Sequence, residues 1–476
     1  MSIDPVSPKP KGMAEERRFW LALVPCLLLL LWFPADFPFL CDEPQLIENA
    51  LQANADGRLA DKGLLGTMGV HYGAPPTWIY QGLLAVTHDL VAISIIKHIV
   101  SLAILIACLV YLARRLSLRR WPIFFILLSP QVHLFHRSLW DNCFLIPLSM
   151  VFVVMVHRFL DSPTRTKVLG LTVLVVLLGH IHLMTGIIVL PAALLLLARK
   201  ARWMRTNWIA ILAFLLAGLA ISFPYLSRVL SAVGQAEQAH VGRMTTFIDV
   251  LRGVNYFSFI PTPHFLPSLS GMQFILPEAI TSALILTTGF VLPVFLFGIW
   301  ASCGRALSQA QRDMAWLAIG TIAFTMLFHL LTGHFFWQHY LNGQWFGYFF
   351  FLWLGADWLA AHRLGRAACA AALISAAVML GLSKLQTHET QGNRSLAFGT
   401  TMENQLEIAA ELANYPVEVQ LHVMRGPTGY CSESLKLLRR MHTTEPTRDA
   451  RHLFLYYPDG EDGRAGRMQL SEKPPE

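Results

Sequence analysis

Charge is what this chain has least of. Asp, Glu, Lys and Arg make up 14% of its 476 residues, against about 25% in an ordinary soluble domain. With 54% hydrophobic residues and a mean hydropathy of +0.48, that scarcity excludes a soluble globular protein and indicates a polytopic membrane protein. Paired cysteines are also missing. The seven cysteines stand at 26, 41, 108, 143, 303, 369 and 431, an odd set without the spacing of a disulfide framework or a zinc motif. The net charge of +7 comes with no basic patch on a soluble segment, which argues against nucleic-acid binding. No internal repeat is visible. No small-residue cleavage site follows the first apolar run, so Met1–Arg18 and the run from Phe19 read as a retained signal anchor.

Long apolar runs separated by short basic clusters are what the chain has in abundance. A span needs about 20 apolar residues, and the Lys- and Arg-rich side stays in the cytoplasm. Phe19–Phe33 follows Lys9, Lys11, Arg17 and Arg18 and so leaves the cytoplasm. The next strongly basic loop is Ala113–Arg120, which allows one return crossing, Leu90–Leu112; Pro75–Val86 then lies on the outer membrane surface. The same rule predicts outward and return spans at Trp121–Phe135, Asp141–Val156, Val168–His180, Gly186–Ala198, Trp208–Leu226 and Ile280–Trp300. It continues with Met314–Leu331, Trp345–Ala361 and Ala367–Ser383.

The expected fold is mainly α: a membrane helix bundle of about eleven spans. Residues 1–18 are cytoplasmic, 19–383 form the membrane module, and its large external loops are 34–89 and 227–279. Residues 384–476 form a small extracytoplasmic α/β unit, with helices at Met402–Asn414 and Ser432–Met441, strands at Val417–Val423 and His452–Tyr457, and a disordered end from Asp459.

This orientation gathers most of the 18 histidines at the outer face, together with the carboxylates of DFPFLCDEP, Asp36–Pro44. A carboxylate beside hydrocarbon marks function by default. Asp42 also reads as a helix N-cap, with Pro44 in the first turn and Gln45 completing a capping box. A second cluster, Ser129–Asn142, sets His133, His136, Arg137 and Asp141 at one interface, either as a site or as a belt in which Arg137 pairs with Asp141. In the second span Ser94, Lys97, His98 and Ser101 share one helical face. Lys97 there either meets a ligand phosphate or snorkels to the interface. The loop His334–Trp345, with His339 and Asn342, reads as an aromatic belt or as a sugar-stacking platform. The long loop at 227–279, with Arg243, Arg252 and Tyr256, reads as a lid or as a plain connection.

In order and side, these motifs resemble the GT-C superfamily of polytopic glycosyltransferases, close to the protein O-mannosyltransferase and aminoarabinose transferase type. The resemblance runs from one span into Asp42-Glu43 and a large external loop, then Pro75-Pro76 before a juxtamembrane helix. It continues with Lys97 early in the second span, where the family usually has Arg, and Ser129-Pro130 followed by Arg137 and Asp141. By motif it covers roughly Phe19–Leu160, and by topology the rest.

The resemblance implies an enzyme that moves a sugar, with inversion, from a polyprenyl-phosphate donor to an acceptor hydroxyl on the non-cytoplasmic side. It implies Asp42 as general base with Glu43 as its orienter. Removing a hydroxyl proton as the oxygen attacks the anomeric carbon does call for a carboxylate, and the phosphate leaving group calls for cations, here Lys97 and Arg137. Asp141 would position Arg137 or the acceptor. Relatives of the aminoarabinose-transferase type carry a Glu-Lys pair where this chain has Gly73-Ala74; His71 and Tyr72 are the candidates to compensate. No motif names a metal or other cofactor. The expected location is the bacterial plasma membrane, with the site facing outward. The rival class is a transporter or flippase for a lipid or anionic solute, which predicts internal repeats and ionisable residues near the bilayer midplane.

Overall fold

The computed structural model describes residues 13–39, 42–66, 70–233, 248, 250, 252–260, 276–304, 307–332, 338–393, 399–416, 419–423, 431–441, 447–456 and 467–474. Seven helical segments among these are long and apolar enough to cross a membrane: Leu90–Arg115, Asp141–Asp161, Leu183–Thr206, Trp208–Ser231, Glu278–Cys303, Gln309–Leu331 and Arg363–Thr390. The chain is accordingly an integral membrane protein, mainly helical, with one small three-stranded sheet.

The other four segments expected to span are not among these seven. The first helix, α1 (Met13–Leu31), starts earlier than expected and carries Glu15 and Glu16 in its first turn. Trp121–Phe135 is broken into α5 (Ile123–Leu127) and α6 (Pro130–Phe135). The break is local chemistry: Pro130 has no N–H to continue a helix, and the Ser129 hydroxyl caps the new one by accepting from Val132 N at 3.3 Å. Helix α8 (Arg165–Ile181) has 17 residues. The helix Trp345–Leu359 has 15 residues, and every one from Trp345 to Ala356 is buried. At 1.5 Å per residue it is about 22 Å long, short of a hydrocarbon core of about 30 Å. Its apolar run is enclosed by the rest of the bundle.

Between α1 and α4 (Leu90–Arg115) lie the first loop's two helices, α2 (Asp42–Ala55) and α3 (Pro75–Leu84). The latter matches the helix expected at 75–86. Asp89 caps α4, its carboxylate accepting from Val91 N at 2.8 Å and Ala92 N at 3.1 Å. Beyond α6 come α7 (Leu145–Asp161), α8, α9 (Gly186–Thr206) and α10 (Trp208–Val233). Helix α10 runs past the expected start of the long loop at Ser227, and the short helix Arg252–Phe257 lies within that loop. Arg243 falls outside the described residues.

The last membrane helix continues seven residues beyond Ser383, to Thr390, before a left-handed Gln391 (φ 53°) ends it. Short strands β1 (Gly392–Asn393) and β2 (Gly399–Thr400) follow, then helix Met402–Leu412, β3 (Gln420–Val423), helix Cys431–Met441 and β4 (His452–Tyr456). These meet the sequence reading to within a few residues. Of the end expected to be disordered from Asp459, residues 459–466 lie outside the described residues, while Gln469–Ser471 is a strand, β5, antiparallel to β4, which in turn pairs in parallel with β3. Ile408, Leu412, Leu435, Leu453, Leu455 and Met468 give this region an apolar cluster of its own.

The C-terminal region is clasped to the start of the first loop. Met402 N donates to Phe37 O at 2.8 Å, Glu403 N to Ala35 O at 3.2 Å and Gln405 Nε2 to Phe39 O at 3.1 Å. Arg440 pairs with Glu48 on α2. Phe37 and Phe39 are buried beneath this contact. The segment that leads into Asp42 is therefore held from both the membrane bundle and the tail.

Candidate active site

Asp42 opens α2, where the helix N-terminus favours a negative side chain. Burial pushes its carboxyl above the ordinary range, and a hydrogen bond from the Trp140 side chain pulls the other way. Its neighbour Glu43 is buried on the same turn and lies within electrostatic reach of the Tyr80 phenol.

The turn at Arg137–Asp141 brings the second carboxylate to the first. Asp141 is fully buried and feels the charge of Asp42. Neither of its oxygens makes a hydrogen bond; its polar neighbours are the backbone N–H groups of Asp141 and Asn142, outside bonding geometry. A buried carboxylate left in this state is costly, which is a mark of a functional rather than a structural position.

Aromatic and imidazole rings surround the pair. Tyr72 is within reach of both carboxylates and of Tyr225 and Tyr340; burial, reinforced by Asp141, pushes its phenol upward and keeps it neutral. The Tyr72 and His182 rings lie 5.3 Å apart, His182 and Tyr340 5.5 Å, and His339 stands 4.8 Å from Trp140. His339 thus joins this group. Two carboxylates in an aromatic enclosure suit a hydroxyl-bearing substrate: rings pack against the apolar faces of a sugar, and a carboxylate takes a proton.

The other expected residues have different surroundings. Lys97 is buried, and its ammonium donates to His136 O at 2.9 Å, to Ser138 O, and to Cys143 Sγ at 3.1 Å. All three donors are spent on the turn that carries Arg137 and Asp141. Ser94 adds a bond to Arg137 O at 2.7 Å. The polar face of α4 is thus a clamp on that turn. His71 is tied into its own loop, Nδ1 3.0 Å from Gly63 O. His133 and His136 belong to a second buried group with His98, Arg137 and Lys384. Neither His136 nitrogen is hydrogen-bonded. Arg137 donates to Phe33 O, and among the described residues its other N–H groups make no hydrogen bond. It does not pair with Asp141.

Several residues that sequence reasoning passed over have defined partners in the structure. His180 explains Gly73: a Cβ there would stand 2.3 Å from His180 Nδ1 and 2.5 Å from its Cβ, while Gly73 N donates to His180 O at 2.9 Å. The imidazole fills the space next to position 73, its ring 5.0 Å from Tyr225 and its Nε2 3.2 Å from Ser222 Oγ. Asp36, to which the sequence assigns no role beyond its place in the acidic stretch Asp36–Pro44, is 2% exposed and faces His388 and Glu403. Burial, with Glu403 alongside, raises its carboxyl to about 6 against the pull of Arg137 and His388. The one available signal was its place in the acidic stretch at the membrane mouth.

No family model matches the chain, and no curated protein does. Among solved structures, the crystal structure of ArnT from Cupriavidus metallidurans bound to undecaprenyl phosphate covers 98% of this chain and 100% of its own, with a TM-score of 0.55 and 11% identity. The apo state of that protein covers 96% and 98% with a TM-score of 0.44 and 11% identity. The likeness to the lipid-bound form shows that this chain shares the fold of that protein along its length.

Proposed function

We propose that this chain is a membrane glycosyltransferase that takes a sugar from a polyprenyl-phosphate donor and passes it to an acceptor hydroxyl on the non-cytoplasmic face. The observation that carries the reading is the meeting of Asp42 with the unpartnered Asp141 inside the ring of Tyr72, Trp140, His182 and His339. A fold shared with a protein crystallised with undecaprenyl phosphate supports the choice of donor. Fold alone does not fix function, so the assignment rests on the site.

In this reading Asp42 accepts the acceptor's hydroxyl proton as that oxygen attacks the anomeric carbon. The new C–O bond forms as the bond from that carbon to the phosphate oxygen breaks, and its electron pair leaves on polyprenyl phosphate. Attack opposite the leaving group inverts the anomeric centre. Asp141 orients the acceptor, and the rings hold the sugar. Arg137 is the cation offered to the phosphate, since most of its donors are unspent. Lys97 supports the reaction through the turn it clamps. Transport is the weaker reading, because Asp42 and Asp141 gather at one end of the Asp141–Asp161 span beside the first loop.

The test uses the purified chain in bacterial polar-lipid vesicles with a radiolabelled polyprenyl-phosphate sugar and a panel of lipid, polysaccharide and peptide hydroxyl acceptors. The expected result is acceptor-dependent release of polyprenyl phosphate with an inverted glycosidic bond. Movement of the intact lipid between leaflets without bond cleavage would overturn the proposal.

A further inference from the structure

Three ligating atoms from three separate parts of the chain converge outside the proposed catalytic group. Asp36 comes from the turn after α1, His388 from the last two turns of the final membrane helix, and Glu403 from the first turn of helix Met402–Leu412. His388 Nδ1 lies 3.2 Å from Asp36 Oδ2 and 3.4 Å from Glu403 Oε2, and one ligand atom from each lies within 4.8 Å of the others. We infer that Asp36, His388 and Glu403 form a binding site for a divalent transition-metal ion that ties the C-terminal region to the segment leading into Asp42.

Geometry is the first support. A tetrahedral zinc ion with N and O ligands at about 2.0–2.2 Å places those ligands about 3.3–3.6 Å apart. The two His388 separations are close to those edges. One imidazole and two carboxylates, with a position left for water, suit zinc or manganese better than calcium or magnesium, which prefer oxygen alone.

The second support is an unmet need for a cation. The Asp36 side chain is 1% exposed, yet its Oδ1 has no hydrogen-bond partner. The fixed charges nearby do not supply one. Arg137 directs its amine to Phe33 O and Lys384 directs its ammonium to Trp32 O at 2.5 Å; neither forms an ion pair with Asp36 among the described residues. Their positive charge opposes a bound ion and sets a moderate affinity, weaker than that of an all-cysteine structural site.

The surroundings also hold the ligands in place. The Phe33 ring stacks on His388 at 4.0 Å and 12°, fixing the plane of the imidazole. Gln391 Nε2 donates to Glu403 Oε2 at 3.2 Å and to His388 O at 2.8 Å. Such outer partners orient metal ligands and tune their affinity. His388 and Glu403 side chains are 38% and 39% exposed, which leaves an entry path from solvent.

The experiment is done on the full chain in detergent, stripped with EDTA, dialysed and titrated with zinc chloride or manganese chloride alone. Metal content is read by mass spectrometry and affinity by calorimetry. One equivalent per chain is expected, with a higher Tm in the presence of the ion. Asp36→Asn and His388→Gln should weaken binding by about tenfold or more and remove the Tm shift. Glu403→Gln, on a half-exposed side chain, tests the same site with little risk to folding. Failure to retain an equivalent of either metal would overturn the inference. So would unchanged binding in all three variants, which would place the ion elsewhere, for instance at the exposed His422–His452 pair (2.9 Å).

Discussion

Asp42 must be ionised to accept a proton, and its burial disfavours the charged form. The carboxylate is therefore lost as pH falls through a value above the ordinary Asp pKa of about 3.9. The acid limb of kcat/KM is expected to lie above that value. A limb at or below it would indicate a solvated carboxylate and a different base. At Gly73 the constraint is steric. His180 cannot swing clear of an added methyl, because its own Cβ is among the atoms met, at 2.5 Å. Gly73→Ala is expected to cost about 1–3 kcal/mol, read as a lower Tm in detergent; an unchanged Tm would show that the loop yields freely. The catalytic candidate was legible in the sequence because carboxylates at a membrane mouth are few. His180, His182 and Lys384 were not, since a lone His or Lys at the end of an apolar run gives no sign of which partner it meets.

At the scale of the element, the polar stripe on α4 was legible as a stripe, but its use was not. Helical spacing places Ser94 and Lys97 on one face without saying what approaches it. The structure puts the turn from His136 to Cys143 there, and the ammonium is consumed. Lys97→Met would leave the carbonyls of His136 and Ser138 without this donor, each unmet buried group costing about 1–3 kcal/mol. Because the turn carries both Arg137 and Asp141, the KM values for donor and acceptor are expected to rise together. A rise for the donor alone would mean that Lys97 meets the phosphate directly. The broken helix at Ser129-Pro130 was also readable in principle: a residue that caps and a residue that lacks an N–H stand side by side in an apolar run. The buried helix Trp345–Leu359 shows the limit of that approach, because hydropathy alone does not say which apolar run the other helices will enclose.

For the whole molecule, the order of apolar runs and basic clusters gave the membrane class and the sequence of most helices. What it did not give was the closure of the chain upon itself. The tail read as a unit apart; in the structure its first helix is hydrogen-bonded to residues 35–39, and Arg440 reaches Glu48 on the helix that Asp42 begins. These pairings join positions more than 350 residues apart, and nothing local in the sequence encodes such a distance. The result is a bundle that supplies Asp141 and most of the rings, a first loop that supplies Asp42 and Tyr72, and a tail that fixes the loop. The central claim is that Asp42 is the base of a glycosyl transfer. It is tested most directly by replacing Asp42 with Asn and measuring sugar transfer from a polyprenyl-phosphate donor in vesicles containing correctly folded protein. The variant is predicted to lose about 10²- to 10⁴-fold in kcat while still binding donor. Transfer at the unmodified rate would contradict the account.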